Sequence, residues 1–227
     1  MTWEVNGIMG DGDRPPAPVA RYFGPCMVMG GAACVWEDIR AAFHLFDLDF
    51  VNHKDGSVPC AIFAINDIGA YFKPRLNHLC SYHEEQLNPT VALRWPNDCN
   101  LSHTFTHSNL NRPAKRARNG NSQYAWHFKQ GAGGTSAMFA SMVALALGYD
   151  RVILCGVPLD GSRHFFDPPD YSPGKMFDSR TQEIEWTRAI EYWIGGRVRS
   201  MSGRTMAWLG RPDRGWINDS NTTDNRQ

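Results

Sequence analysis

The chain has 227 residues, 42% of them hydrophobic and 20% charged, with 23 Lys and Arg balancing 23 Asp and Glu. That length fills one good core, and the zero net charge removes any overall electrostatic case for nucleic acid or an anionic membrane. No run approaches the ~18 apolar residues of a membrane span, and Met1 to Gly12 lacks the charged start and apolar core of a signal peptide.

Residues 1–22, with Gly10, Gly12, Pro15, Pro16 and Pro18, read as a loose lead-in to a single domain over residues 23–217. Cys26 to Met29 is a short apolar strand ending in Gly30-Gly31. It leads into a helix from Val35 to Phe46, whose apolar positions Val35, Ile39, Ala42, Phe43 and Phe46 keep helical spacing. Cys60 to Ile65 predicts a second strand closed by Asn66-Asp67, Leu76 to Tyr82 a weaker third before His83, and Thr90 to Trp95 a fourth stopped by Pro96. Residues 97–122 are polar and patternless, the mark of a functional loop or lid, or of a misassigned segment. The basic cluster Lys115-Arg116-Ala117-Arg118 lies among polar residues there and reads as a solvated loop. Gly131-Ala132-Gly133-Gly134-Thr135-Ser136 precedes an apolar helix from Ala137 to Leu147, and Arg151 to Cys155 is a strand closed by Gly156. A helix from Ser179 to Ile194 comes next, with Ser179 and Gln182 at capping-box spacing and Trp186, Tyr192 and Trp193 predicted to be core. Arg197 to Met201 predicts the last strand, and residues 218–227 a disordered polar tail.

Alternating strands and helices imply βαβ units, hence an α/β fold: one Rossmann-like domain whose mostly parallel sheet is covered by helices on both faces. The six cysteines show no CxxC pair and mostly sit in apolar runs, which suits a reducing cytoplasm and leaves the sequons at Asn100, Asn218 and Asn221 without weight.

Open α/β sheets bind ligands beyond the carboxyl ends of their strands. The residues just past each strand are therefore the candidate set: Gly30 and Gly31, Asn66 and Asp67, Tyr82 and His83, and Gly156 to Asp160. Thr135 and Ser136 add a helix start. Two small-residue turns entering helices predict free amides and helix dipoles that hold a phosphate, against the plainer reading of ordinary turns with a Ser or Thr cap. Neither turn is a GxxxxGK[ST] loop or a full GxGxxG.

The run Thr135-Ser136-Ala137 through Leu147-Gly148-Tyr149-Asp150-Arg151-Val152-Ile153-Leu154-Cys155-Gly156 resembles the "SG…A…A..LGY..I.L.G.D" signature of a Rossmann-like superfamily. That superfamily includes bacterial CMP-sialic acid sialyltransferases and archaeal-type 6-hydroxymethylpterin diphosphokinases. Val28 to Cys34 resembles its "hGxGPS" loop, and Ala64-Ile65-Asn66, followed by Tyr71 and Phe72, its strand ending in Asn. The departures are Gly31 for Asn, Ala32-Ala33-Cys34 for Gly-Pro-Ser, Ala137 for Gly, and Pro158 for the strand-end Asp, with Asp160 two residues on. The segment Gly156 to Phe166 also resembles uncharacterised proteins of tailed phages and prophages. The resemblance implies a nucleoside phosphate, typically CMP, held by the Gly30-Gly31 loop, Asn66 and Ser136. No further cofactor is implied.

Glycosyl transfer at an anomeric carbon needs a base for the acceptor hydroxyl and help for the leaving phosphate. His164, in a loop with Asp160, Arg163 and Asp167, is the first candidate base and His83 the second. Arg204, Arg163 and Arg199 are candidates for the phosphate, each also readable as a surface arginine. A second reading, diphosphate transfer from ATP to a hydroxymethyl acceptor, needs Mg²⁺ on acids such as Asp67 and Asp160, whose plain reading is a cap or turn. A third is non-catalytic nucleotide binding, in a host cytoplasm if the protein is viral. His103 and His107 would share a helix face as metal ligands, but Thr104-Phe105-Thr106 favours strand or loop and no third ligand stands out, so no metal site is predicted. Trp126 and Tyr71 are candidates for stacking on a base. The expected partner is a small nucleotide ligand, and a homo-oligomer is compatible with the sequence.

Overall fold

The computed structural model describes residues 1–17, 22–109, 123–130, 135–171 and 179–219. The basic cluster at 115–118, Gly131 to Gly134 and the tail beyond Asp219 lie outside the described residues.

The first element is a hairpin where a loose lead-in is expected. Strands β1 (Thr2–Val5) and β2 (Ile8–Asp11) pair antiparallel through Asn6-Gly7, both at positive φ (53° and 76°) as a tight two-residue turn requires. Trp3 and Ile8 point into the core, and Trp3 packs edge-on against Trp126 and Phe128.

The main sheet begins after it. β3 (Pro25–Met29) leads to α1 (Val35–His44), and β4 (Ala61–Ile65) to the one-turn helix α2 (Ile68–Tyr71). β5 (His78–Ser81) leads through a 3₁₀ turn to α3 (Leu87–Arg94). β6 (Phe105–Asn109) and β7 (Tyr124–Trp126) precede α4 (Ser136–Leu147), β8 (Arg151–Cys155) and α5 (Ser179–Ala189). β9 (Val198–Ser200), α6 (Gly203–Leu209) and α7 (Arg214–Asn218) complete the order. The seven strands run β7-β6-β5-β4-β3-β8-β9, each paired parallel with its neighbours.

Strand residues serve two cores by alternation, as a sheet covered on both faces demands. Cys26, Val28, Phe63, Val152 and Leu154 face α4, the hairpin and Trp186 of α5. Met27, Met29, Ile62, Ala64, Ile153 and Cys155 face α1, α2 and Trp216 of α7. Eleven of the twelve residues of α4 are buried, which accounts for its nearly all-apolar sequence. All six cysteines are free, and no described helix is long and apolar enough to cross a membrane.

Four expectations are corrected. Thr90 to Trp95 is helix, not strand: Pro89 sits in the first turn of α3, where a missing N–H is harmless. The patternless section contains β6. Its buried His107 is engaged by both flanking strands: Trp126 Nε1 of β7 donates to His107 Nδ1 at 3.0 Å, and His107 Nε2 lies 3.0 Å from His78 Nδ1 of β5. His107 is thus a core residue with both nitrogens engaged, and Trp126, fully buried, is not free to stack on a base. Tyr192 is 66% exposed rather than core, because residues Ile190–Ile194 form a π turn that breaks the α-helical spacing.

Candidate functional site

β3 has β4 on one side and β8 on the other, so the chain leaves the sheet centre in opposite directions at their carboxyl ends. Met29 and Cys155 are register partners, so Gly30 and Gly156 emerge together at this switch point. They touch. A Cβ on Gly30 would lie 2.5 Å from the Gly156 carbonyl oxygen, and one on Gly156 would lie 2.8 Å from that of Gly30 and 2.6 Å from Val35 Cβ. Gly156 also has φ of 66°. Beneath them the buried carboxylate of Asp38 on α1 accepts from Gly156 N at 2.7 Å and from Ser202 Oγ at 2.6 Å. Asp38 thus ties α1, the β8 end and the β9 end together. In the sequence it reads only as a first-turn acid, with nothing to distinguish it from Glu37.

A cavity of about 260 Å³ opens at this edge. One wall is Gly30, Gly31 and Ala32, the second Asn66 with Thr135, Ser136 and Ala137, and the third the loop from Gly156 to Ser162. His164 and Gln182 complete the rim. Seven sequence-predicted residues therefore meet here with His164: Gly30, Gly31, Asn66, Thr135, Ser136, Gly156 and Asp160. Gln182, expected in a cap, lines the cavity instead.

The two turns differ in what they offer. At the α1 turn Gly30 N donates to Cys155 O, Ala32 N to Gly156 O and Ala33 N to Arg163 O, so those amides are engaged with backbone. The start of α4 carries the anion-binding potential. Thr135 is its N-cap, its hydroxyl accepting from Met138 N at 3.2 Å, and the first-turn amides of Ser136 and Ala137 have no acceptor within the helix. Ser136 Oγ accepts from Tyr82 N at 3.2 Å, which leaves its proton available. On the same wall, Asn66 is held at φ 51° and its buried Oδ1 has no hydrogen-bond partner. Asp160 closes a turn by accepting from Ser162 N at 2.9 Å.

His164 is built from its own loop. Its backbone pairs with Ala32, and Phe165 N donates to Gly31 O at 2.9 Å, which pins the loop over the glycine turn. Asp167 accepts from His164 N at 2.8 Å, and the same Oδ2 lies 3.4 Å from His164 Nδ1. The carboxylate side chain is 15% exposed and the imidazole 53%. A carboxylate at Nδ1 favours the tautomer with the proton there, leaving Nε2 as an acceptor.

The other candidates lie elsewhere. His83 stands 3.7 Å from Glu85 at the head of the 3₁₀ turn, and Arg204 is exposed on α6; neither lines the cavity. The Arg163 guanidinium turns back onto the Asp167 carbonyl, and Arg199 pairs with Asp213 at 2.8 Å. No Lys or Arg is among the cavity's described lining residues. Asp67 is outside the lining, and no described group of three His, Cys, Asp or Glu side chains converges as a metal site would, so no step is routed through Mg²⁺.

No protein-family model and no curated protein matches the sequence. Two solved structures share the fold. One is the sialyltransferase CstII from Campylobacter jejuni, in complex with a substrate analogue, cytidine-5'-monophosphate: TM-score 0.54, 13% identity, covering 87% of each chain. The other is the monofunctional alpha-2,3-sialyltransferase Cst-I from Campylobacter jejuni: TM-score 0.55, 13% identity, covering 88% of this chain and 84% of that one. The architecture of this chain is thus a Rossmann-like fold similar to that of two sialyltransferases.

Proposed function

We propose that the chain is a glycosyltransferase that uses a nucleotide-sugar donor of the CMP type. The observation that carries this reading is the cavity at the switch point, lined by the start of α4, by Asn66, whose buried Oδ1 has no partner, and by His164. The α4 amides and the hydroxyls of Thr135 and Ser136 hold the nucleotide phosphate, and the helix dipole stabilises the charge that grows on it. The unpaired Asn66 oxygen accepts from a nucleotide N–H or O–H. The likeness to two sialyltransferase folds, one solved with a cytidine nucleotide, supports the choice of donor class.

The step balances as a displacement. His164 Nε2 takes the proton of the acceptor hydroxyl while the oxygen's electron pair attacks the anomeric carbon. The bond from that carbon to the phosphate oxygen breaks, and its pair leaves with the nucleotide. Asp167 holds the imidazole and balances the imidazolium that forms.

Thermal unfolding with CMP, without added metal, tests the reading. At ~100 times its dissociation constant the ligand adds about 2.7 kcal/mol of stability. His164→Ala keeps this shift and lowers transfer from a CMP-sugar by about 10²–10⁴-fold, the usual contribution of a positioned base. The absence of any shift with CMP or a CMP-sugar sinks the proposal. A shift with ATP and Mg²⁺ alone replaces it by diphosphate transfer.

A further inference from the structure

His164 faces two ways. On the cavity side, a Cβ on Gly31 would lie 3.3 Å from His164 Cδ2. On the other side, its ring lies parallel to Phe166, with centroids 5.2 Å apart and planes at 3°. The aromatic surface continues from there: Phe165 meets Phe166 edge-on at 5.1 Å, and Tyr71 meets Phe165 at 5.3 Å. Tyr71 is 42% and Phe166 48% exposed, while Phe165 is half-buried against Trp36 at 5.8 Å. None of the three strip rings lines the cavity.

The base fixes what can lie on this strip. A hydroxyl that gives its proton to His164 must come within about 3 Å of Nε2. The strip adjoins His164 through Phe166, so it is aromatic surface within reach of the rest of the molecule that carries that hydroxyl. The rings bear no charge and offer ring surface to solvent, so they suit a molecule with one C–H face and a hydroxylated edge. A pyranoside has that shape: its axial C–H bonds pack on an aromatic plane while its hydroxyls stay hydrated.

We infer that Tyr71, Phe165 and Phe166 form the acceptor platform and receive an uncharged pyranoside face-on. The inference rests on the glycosyl-transfer reading, with Phe166 also backing the His164 ring.

Saturation-transfer NMR on the full chain tests it, with methyl β-D-galactopyranoside and CMP as separate probes. The expected result is saturation strongest on the C–H protons of one sugar face. That signal falls about tenfold in Tyr71→Ala/Phe166→Ala and persists in Tyr71→Phe, as the loss of two stacking partners predicts. The CMP signal is the same in all three proteins. Sugar saturation that survives the double substitution, or that is absent from the wild type, overturns the inference. So does loss of the CMP signal in the double variant, which assigns the strip to the nucleobase. A wild type that binds the sugar on the strip but not CMP upholds the platform and overturns the nucleotide-sugar reading, so the two failures are told apart.

Discussion

Asn66 carries two local costs at once. A non-glycine residue at positive φ and a buried amide oxygen without a partner are each worth about 1–3 kcal/mol. Both sit on the cavity wall, where strain is retained when it prepares a contact. Asn66→Gly removes both costs together with the acceptor. Its expected outcome is a chain more stable by about 1 kcal/mol that binds CMP about tenfold more weakly, read by urea unfolding and by titration. A variant that loses stability as well as affinity would show the amide to be structural. At this scale the sequence is informative where a residue type has one use. Asn66 and Ser136 are visible because each ends or starts an element at the sheet edge. Asp38 is hidden, because a carboxylate in a first turn looks the same whether it faces solvent or receives Gly156 N.

Among elements, β5, β6 and β7 are joined by a buried polar chain in addition to their apolar packing. His78, His107 and Trp126 form a buried chain, and His78 stacks on Phe63 at 4.1 Å. Trp126 donates to His107 Nδ1, so His107 carries its proton on Nε2 and donates to His78 Nδ1, which leaves His78 to donate toward the Tyr149 hydroxyl. Burial pushes His78 down to about 3 and His107 well below its ordinary value, the latter helped by its neighbour His78. Both imidazoles therefore stay neutral when folded and take up protons when unfolded below about pH 6.5, so stability is full above that pH and drains away below it. Between pH 7.5 and 5.5 the pair removes about 2.7 kcal/mol, measurable as a falling urea midpoint. A midpoint that stays flat over that window contradicts the buried neutral pair. The same chain explains why β6 is illegible in the sequence. Phe105 to Asn109 has the composition of a loop, and only its partners on β5 and β7 make it a strand. By contrast β3, β4 and β8 are legible, since strands buried on both faces must be continuous apolar runs. The hairpin has its signal too, an Asn-Gly pair between apolar residues, outweighed by the glycines and prolines after it.

For the molecule as a whole, the hairpin shows that its first residues belong to the core. Trp3 sits over Trp126 and Phe128, and a Cβ on Gly10 would fall 2.1 Å from the Trp3 ring. Trp3→Ala is expected to cost about 3–4 kcal/mol, the usual range for emptying a buried aromatic site. Because no hairpin residue lines the cavity, CMP affinity of the folded variant should stay within about twofold. Calorimetry and titration check the pair of outcomes. The far end of the chain is fastened in a similar way. Trp216 lies between the guanidinium groups of Arg151 and Arg199, at 5.5 and 5.0 Å, and its carbonyl accepts from Arg151 Nε.

The contact between Gly30 and Gly156 also limits how this chain can diverge. Each glycine blocks a side chain on the other through its own carbonyl oxygen, so enlarging one cannot be offset by shrinking its partner, which is already minimal. Most core contacts admit such paired exchanges, and over long separation they erase sequence likeness while the fold persists. This contact admits none. Two positions more than a hundred residues apart should therefore resist drift together, a fixed point for recognising distant copies of this crevice.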